Sequence, residues 1–404
     1  MLTIVVLLAG FYLAWNIGAN DVANAMGTSV GSKALTLKKA VFLAAVLEFC
    51  GAFFIGSSVS HTIQEGIVSP TFFTGLDFCL GMLGALIATG ILLQVASYFG
   101  LPLSTTHAIV GSVLGFGLIA GGPETIQWSK LAEIAASWVL SPILSGVVSY
   151  AIFNVIQRRI FYALDPLEET QRLAPIFLFS CFFLISWSLF CDGLHLDLTF
   201  SGALTLCSSI SFCGAFLGSY LMRRGDSLNS YHDTGSHVIS LQVEKAFVAL
   251  QIISACLVAF AHGANDVANA IGPVNAILSV AQSGSHVVPS WLLAFGGAGI
   301  VLGLSTWGWR VIETIGNKIT ELTPTRGFAA ELGAATTILF ASKLGLPIST
   351  THALVGAVFG VGMARGLQAL NLKILKEIVI SWVFTIPVCA GLNICIYVLL
   401  KAVF

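Results

Sequence analysis

The sequence reads GANDVANA from Gly18 to Ala25, and the same stretch returns from Gly263 to Ala270. A second stretch, LPLSTTHAIVGSVLGFG from Leu101 to Gly117, returns as LPISTTHALVGAVFGVG from Leu346 to Gly362, with 12 of 17 positions identical. In both pairs the second copy lies 245 positions after the first. Two separate matches at one offset predict a chain built from two copies of one structural unit.

The composition places these copies in a membrane. Of the 404 residues, 56% are hydrophobic and 9% are charged, whereas a soluble domain carries roughly 25% charged residues. Because so few charges cannot cover a water-exposed surface, most of the outer surface is expected to face the lipid bilayer. The net charge of −1 gives no indication of a nucleic-acid partner. The nine cysteines lie in or beside apolar runs without Cys-x-x-Cys pairs, which favours packing over metal or disulfide chemistry.

Twelve segments predict spanning helices, since a helix needs about 20 apolar residues to cross a bilayer. They are 2–25, 36–59, 72–99, 102–120, 130–157, 174–191, 198–222, 243–270, 289–309, 327–344, 347–364 and 374–400. The apolar N-terminus has no basic region before it, which favours a first spanning helix over a cleaved signal peptide. The expected fold is an all-α integral membrane protein with about 12 transmembrane segments.

The basic residues give the predicted orientation. Of the 18 Lys and Arg residues, 15 lie in connections after odd-numbered segments and 3 in connections or ends after even-numbered ones. Because cytoplasmic connections are enriched in Lys and Arg, the odd connections are expected inside and both termini outside. The longest polar stretch, Arg223 to Gln242, then lies in the cytoplasm. A re-entrant hairpin at Leu101 to Ala120 is the alternative, but it would leave three arginines of the next connection outside.

The two copies are predicted to be inverted. The first begins at the first segment and the second at the eighth, so an odd number of crossings separates them. The expected organisation is a first repeat over 1–160, a central pair of helices with cytoplasmic loops over 161–242, and a second, inverted repeat over 243–404. Inverted repeats with a binding site at their interface are a transporter architecture.

Polar residues inside the first and eighth segments predict a cation site. They are Asn20, Asp21 and Asn24 in the first copy and Asn265, Asp266 and Asn269 in the second. An ionisable residue at membrane depth costs about 2.5–3.5 kcal/mol on insertion scales, so a matched pair of aspartates indicates function. The flanking glycines are expected to let both helices unwind, so that backbone carbonyls join the side-chain oxygens as ligands. Polar contacts that hold helices together are the alternative.

The second motif predicts an anion site. Pro102 and Pro347 favour the first turn of a helix, which places a run of hydroxyls at or near two helix N-termini. These hydroxyls are Ser104, Thr105, Thr106, Ser349, Thr350 and Thr351. Free N–H groups and the positive dipole end gather there, and hydroxyls add donors for a tetrahedral oxyanion. Plain capping of two ordinary helices is the alternative, and a structural role is favoured for the adjacent His107 and His352.

Further ionisable residues lie inside or beside apolar runs. Glu48 lies in LAAVLEFCGAFF, Glu331 lies in GFAAELGAATT, and His262 directly precedes the second GAND. The two glutamates are expected on the ion or substrate pathway. No Lys or Arg lies well inside a segment that carries a motif, so these carboxylates would repel an oxyanion. Cations must then bind with the anion, or the carboxylates must be protonated, which predicts coupled entry.

Together, the GANDVANA pair and the LPLSTTH and LPISTTH pair resemble the inorganic phosphate transporter (PiT) family over essentially the whole chain. The resemblance implies phosphate uptake with sodium in many members and with protons, often as metal-phosphate, in others. It implies that Asp21 and Asp266 matter for transport, and that Glu48, Glu331 and His262 match functional positions of the family. It also implies a homodimer. The long mid-chain cytoplasmic loop of some family members is short here.

The sequence therefore predicts a sodium-coupled phosphate symporter of the cell membrane, with sodium as co-transported ion and no organic cofactor. Proton-coupled phosphate or metal-phosphate transport, and sulfate transport, remain open on the same scaffold. A channel would need a continuous polar lining, whereas the polar residues cluster at two motifs. An intramembrane enzyme would need a nucleophile or a metal set that the sequence does not offer.

Overall fold

A computed structural model describes residues 2–194, 196, 198–224, 236–281, 287–312, 322–366 and 372–404. Within these ranges the chain is helical almost throughout, and the β-pairing there amounts to one bridge between Val68 and Ile126. The expected all-α class is therefore confirmed. Most of the polar stretch from Arg223 to Gln242 lies outside the described residues.

Thirteen α-helices occupy the described ranges. They are α1 (Leu2–Gly31), α2 (Leu37–Ile55), α3 (Ser57–Glu65), α4 (Gly75–Tyr98), α5 (Thr105–Ala120), α6 (Trp128–Ile156), α7 (Pro166–Trp187), α8 (Phe200–Arg224), α9 (Ser236–Ala281), α10 (Ser290–Thr306), α11 (Pro324–Lys343), α12 (Thr350–Arg365) and α13 (Leu372–Val403). Short 3₁₀ turns lie at Pro70–Phe72 and Pro123–Thr125, and single π-helical turns follow α6 at Gln157–Phe161 and α7 at Ser188–Gly193.

Every predicted segment overlaps one of these helices, and the segment 36–59 overlaps two. α2 and α3 meet there at an angle of 65°. In the described part, seven helices are long and apolar enough to cross a membrane, or eight if this bent pair is one span. α5 and α10 are apolar but shorter. The multi-pass membrane class follows from these helices, and the number of 12 spans stays a prediction.

The expected unwinding of the GANDVANA helices is wrong. α1 and α9 run without a break through the motif. The flanking glycines allow close helix packing instead: a Cβ on Gly18 would lie 1.9 Å from the carbonyl oxygen of Ile300, and one on Gly263 would lie 2.0 Å from that of Glu48. α1 therefore crosses α10, and α9 crosses α2, with backbone against backbone.

Each sequence copy packs its helices against those of the other. α5 packs against α13, while its counterpart α12 packs against α6. α1 packs against α10, and its counterpart within α9 packs against α2. Because of this exchange, the four motifs meet at the centre of the molecule. α7 and α8 pack mainly against each other, and α8 leaves large apolar side chains such as Phe212 and Phe216 exposed.

Candidate substrate and ion site

The two GANDVANA aspartates meet at the centre of the molecule. Asp21 of α1 and Asp266 of α9 are both fully buried. Together with His262 they bring one potential ligand atom each to within 4.8 Å of one another. Two residues 245 positions apart thus contribute to one cluster, and its carboxylate oxygens are hard ligands suited to a small cation.

The two aspartates have different surroundings. Asp266 Oδ2 accepts a hydrogen bond from Thr350 Oγ1 at 2.8 Å and lies 2.7 Å from His262 Nε2. Asp21 Oδ1 accepts a longer bond from Asn24 Nδ2 at 3.2 Å, and its Oδ2 has no hydrogen-bond partner. Asp266 is therefore held by its neighbours, whereas Asp21 has an oxygen available to a ligand.

His262 connects Glu48 to this cluster. Its Nδ1 lies 3.1 Å from Glu48 Oε2, and its Nε2 faces Asp266 on the other side. All three side chains are fully buried. The position equivalent to His262 in the first copy is Ile17. The imidazole between two carboxylates is therefore a feature of one copy alone, and it breaks the symmetry of the site.

The helices of the second motif begin beside the aspartates. Ser104 and Ser349 are their N-caps, and each serine Oγ accepts the backbone N–H of the histidine three residues later at 3.2 Å. The helices start at Thr105 and Thr350. Pro102 and Pro347 therefore precede the helices, and the expectation that they occupy the first turn is wrong. The placement of the hydroxyls at two helix N-termini is confirmed.

The threonines and asparagines link the two copies. Thr351 Oγ1, at the start of α12, accepts a hydrogen bond from Asn24 Nδ2 of α1 at 2.8 Å. Asn269 Nδ2 of α9 lies 3.4 Å from both Thr105 Oγ1 and Thr106 Oγ1 of α5. Each GANDVANA helix thus contacts the N-terminus that belongs to the other copy.

Asn20 and Asn265 face the loops that precede these N-termini. Asn20 Nδ2 donates to Ser97 Oγ at 3.0 Å and to Leu101 O at 3.1 Å. Asn265 Nδ2 donates in the same way to Ser342 Oγ at 3.1 Å and to Leu346 O. Their NH₂ groups thus hold the loops in place, while Asn20 Oδ1 accepts the N–H of Leu103 and Asn265 Oδ1 has no hydrogen-bond partner. The grouping of both asparagines with the cation ligands stays a prediction.

Glu331 lies in a second polar pocket. Its oxygens accept hydrogen bonds from Thr28 Oγ1 at 2.5 Å, Ser29 Oγ at 2.7 Å, Gln251 Nε2 at 3.3 Å and Ser254 Oγ at 2.5 Å. Thr28 follows Asp21 by seven residues on α1, which is about 10 Å along a helix. Sequence reasoning missed all four partners, although Gln251 and Ser254 are polar positions within the apolar run 243–270.

The motif histidines pack behind the helix N-termini. His107 Nδ1 lies 3.2 Å from Trp382 O, and His352 Nδ1 lies 3.2 Å from Trp138 O. The two imidazole rings lie 4.4 Å apart. This arrangement agrees with the structural role that the sequence favours for them. The two tryptophans were not predicted, although each lies in a Ser-Trp pair that recurs between the copies.

The whole site is electronegative. Four carboxylates are fully buried, those of Asp21, Glu48, Asp266 and Glu331, and no Lys or Arg side chain is buried among the residues that the structure describes. The positive ends of α5 and α12 and one histidine are the groups that oppose this charge. Such a site can hold an anion when cations bind beside it.

Comparison with known proteins gives the family. The sequence model of the phosphate transporter family matches residues 17–393. The chain belongs to this family. Inorganic phosphate transporter 2-1, chloroplastic, of Arabidopsis thaliana is 48% identical over 98% of this chain and 71% of its own length. A solved structure named "The sodium-dependent phosphate transporter" matches with a TM-score of 0.94 and 40% identity, covering 100% of both chains. This phosphate transporter family member is a membrane transporter, not an enzyme.

Proposed function

We propose that this chain is a secondary active symporter that carries inorganic phosphate across the cell membrane together with sodium ions. The observation that carries the proposal is the pair of buried aspartates beside two helix N-termini, without a buried Lys or Arg in the described part. A phosphate dianion gains hydrogen bonds at the N-termini but is repelled by the carboxylates. Sodium ions beside Asp21 and Asp266 remove that repulsion, so anion and cation bind together.

Phosphate binds where the N-termini of α5 and α12 converge. Backbone N–H groups and the hydroxyls of Thr105 and Thr350 are its donors, since these threonines lie on the side of the GANDVANA residues. The capping serines contribute mainly by fixing the helix start. Sodium takes the oxygens of the aspartates together with Asn24 and Asn269 of α1 and α9. With 0–3% exposure of its side chains, this site is closed to solvent in the present conformation.

The pocket of Glu331 belongs to the sodium pathway. Three hydroxyls and an amide surround a buried carboxylate, which is a set of hard-oxygen groups for a small cation. The positions equivalent to its members in the other copy are Val6, Ala9, Leu86, Pro273 and Val274. Since all of these residues are apolar, the polar pocket has no counterpart at the equivalent place in the other copy.

The arrangement of the two copies supports a mechanism of alternating access. The proposed organisation is an inverted pair, 1–160 and 243–404, around a central helix pair within 161–242. Corresponding contacts recur at positions that differ by 245, as in the bonds of Asn20 and Asn265 to their loops. When each of two inverted copies adopts the conformation of the other, the site between them opens first to one membrane face and then to the other.

Proton coupling is the second candidate. Glu48, His262 and Asp266 are fully buried, and the imidazole lies within 3.1 Å of both carboxylates. A proton could therefore neutralise one of these carboxylates in place of a sodium ion. The solved relative is called a sodium-dependent transporter, which favours sodium. The same oxygens would also accommodate a metal-phosphate complex. Sulfate differs from phosphate because, when fully ionised, it has no proton to donate to a carboxylate.

Uptake of radiolabelled phosphate into proteoliposomes tests the proposal. We expect an inward sodium gradient to drive accumulation and a pH gradient alone to fail. Asp21→Asn should abolish the sodium effect, whereas the control Glu133→Gln, which removes an exposed carboxylate paired with Lys130, should leave uptake unchanged. Accumulation driven by protons without sodium would contradict the sodium mechanism and support the second candidate.

A further inference from the structure

A row of polar side chains runs along α1 well beyond the central site. Its members occupy every fourth position: Tyr12, Asn16, Asn20, Asn24 and Thr28. Sixteen residues of helix rise by about 24 Å, which is most of the roughly 30 Å hydrocarbon core of a bilayer. α1 therefore offers polar groups over nearly the full depth of the membrane.

The row winds around α1 from one partner helix to another. A step of four residues turns about 40° beyond a full circle, so the two ends of the row face in different directions. At one end Tyr12 Oη donates to Gln94 Oε1 of α4 at 2.5 Å. At the other end Thr28 Oγ1 donates to Glu331 of α11. The row thus passes from the α4 side of α1, through the GANDVANA residues, to the pocket of Glu331.

Asn16 is a member of this row whose buried side-chain oxygen has no hydrogen-bond donor. Its side chain is fully buried, and its Nδ2 donates to the backbone oxygen of Tyr12 at 2.9 Å. Its Oδ1 has no hydrogen-bond partner. A buried amide oxygen without a donor destabilises the folded state, and a carbonyl oxygen is also a sodium ligand. Asn16 lies one helical turn from Asn20, between the central site and Tyr12.

α9 lacks the corresponding polar groups. The positions equivalent to Tyr12, Asn16 and Thr28 are Leu257, Ala261 and Pro273. The position equivalent to Gln94 is Leu339. On α9, polar side chains of this row are therefore confined to Asn265 and Asn269 of the motif, and apolar side chains close the row at both ends.

We infer that sodium reaches and leaves the central site along α1, and that Asn16 is a ligand for the ion on the side of the site opposite Glu331. The inference rests on the proposed sodium symport and deepens it. The two copies then differ along this route: α1 carries polar groups at positions 12 and 16, where α9 carries Leu257 and Ala261, while both helices contribute to the central site and to the pocket of Glu331. Along α1, Asn16 lies on the N-terminal side of the central site, and the pocket of Glu331 lies on its C-terminal side.

Thiol accessibility at matched positions tests the route. In a background without the native cysteines, Asn16→Cys is compared with Ala261→Cys, whose parent residues are both 0% exposed. A small cationic methanethiosulfonate should inactivate phosphate uptake by the variant at position 16, and sodium should slow the reaction. The variant at position 261 should not react. Equal reaction at both positions, or protection by sodium at 261 alone, would overturn the inference.

A second pair of variants separates transport from folding. Asn16→Leu removes the oxygen at similar volume and should lower the initial uptake rate about tenfold, with phosphate binding by the solubilised protein kept within about twofold. Asn16→Ser restores an oxygen and should recover part of the rate. Parallel loss of binding and uptake in Asn16→Leu would make Asn16 structural and overturn the inference. If the rate of phosphate uptake by the wild-type protein did not depend on sodium, the proposed function itself would be contradicted, and with it this route.

Discussion

At the scale of single residues, the two aspartates of the repeated motif have different hydrogen-bond partners. Asp266 lies between a threonine hydroxyl and His262, each within 2.8 Å. Asp21 Oδ2 has no hydrogen-bond partner. Identical motif sequences therefore have different surroundings, in part because the position of His262 is occupied by Ile17 in the first copy.

This difference predicts distinct effects of two conservative substitutions. Asp21→Asn should remove the stabilisation by sodium and leave the unfolding temperature without sodium nearly unchanged. Asp266→Asn should also lower the unfolding temperature without sodium, because His262 loses a charged partner. Thermal unfolding in detergent measures both; a ligand at 100 times its dissociation constant adds about 2.7 kcal/mol to the free energy of unfolding. Identical profiles for the two variants would contradict the assignment.

Glu331 gives a second prediction at this scale. Glu331→Gln removes the charge from a pocket of three hydroxyls and one amide, so the apparent sodium constant for phosphate uptake should rise by about tenfold or more. Glu244→Gln is the control, because Glu244 accepts bonds from Thr325 at the start of α11 and lies outside the pathway. An unchanged sodium constant in Glu331→Gln would remove this pocket from the sodium route.

At the scale of helices, the N-termini of α5 and α12 combine capping with substrate binding. Ser104→Ala and Ser349→Ala should each lower the free energy of unfolding by about 0.5–2 kcal/mol, the usual effect of losing a cap. Thr105→Ala and Thr350→Ala should instead weaken phosphate binding by roughly one to two powers of ten. Equilibrium phosphate binding and thermal unfolding, measured on the same samples, separate the two classes. Serine variants that bind phosphate as weakly as the threonine variants would show that the serines contact it.

The glycine crossings of α1 and α9 give a prediction about stability. Gly18→Ala and Gly263→Ala place a Cβ about 2 Å from a backbone oxygen of the crossing helix, so we expect losses of about 1–3 kcal/mol or more. Gly391→Ala on α13 is the control, since nothing lies within 4 Å of its added Cβ, and alanine is the better helix former. Thermal unfolding of the three variants checks the prediction. Equal stability would show that these crossings adjust without strain.

At the scale of the whole molecule, residues near segment ends that share a predicted side lie close together, and which side faces outside stays a prediction. Thr62 bonds to Gly345, and Lys343 lies 3.7 Å from Asp192; all four lie in connections predicted outside or at the adjoining segment ends. Arg310 lies 5.5 Å from the ring of Tyr98, and both lie in or beside connections predicted in the cytoplasm. Cysteines introduced at Thr71 and Lys33 should therefore be labelled from outside and inside intact cells, respectively. Labelling of both from one side would contradict the twelve-span topology.

Much of this arrangement could be predicted from the sequence, because each repeated motif lies within one short stretch of residues. The offset of 245 predicts that Asp21 and Asp266 correspond, and the hydroxyl runs predict helix N-termini. The continuity of α1 and α9 could not be predicted, since a glycine that permits unwinding also permits close packing. The partners of Glu331 come from separate helices, so no local pattern indicates that Thr28 and Ser254 share one carboxylate.

A structure determined with sodium and phosphate bound tests the central claim most directly. We predict phosphate between the two copies, with its oxygens at hydrogen-bond distance, about 2.5–3.2 Å, from the hydroxyls of Thr105 and Thr350. Sodium should lie against the unpartnered oxygen of Asp21. Phosphate bound beyond the reach of both threonines, or bound at this site without a cation beside Asp21 or Asp266, would contradict coupled binding between the copies.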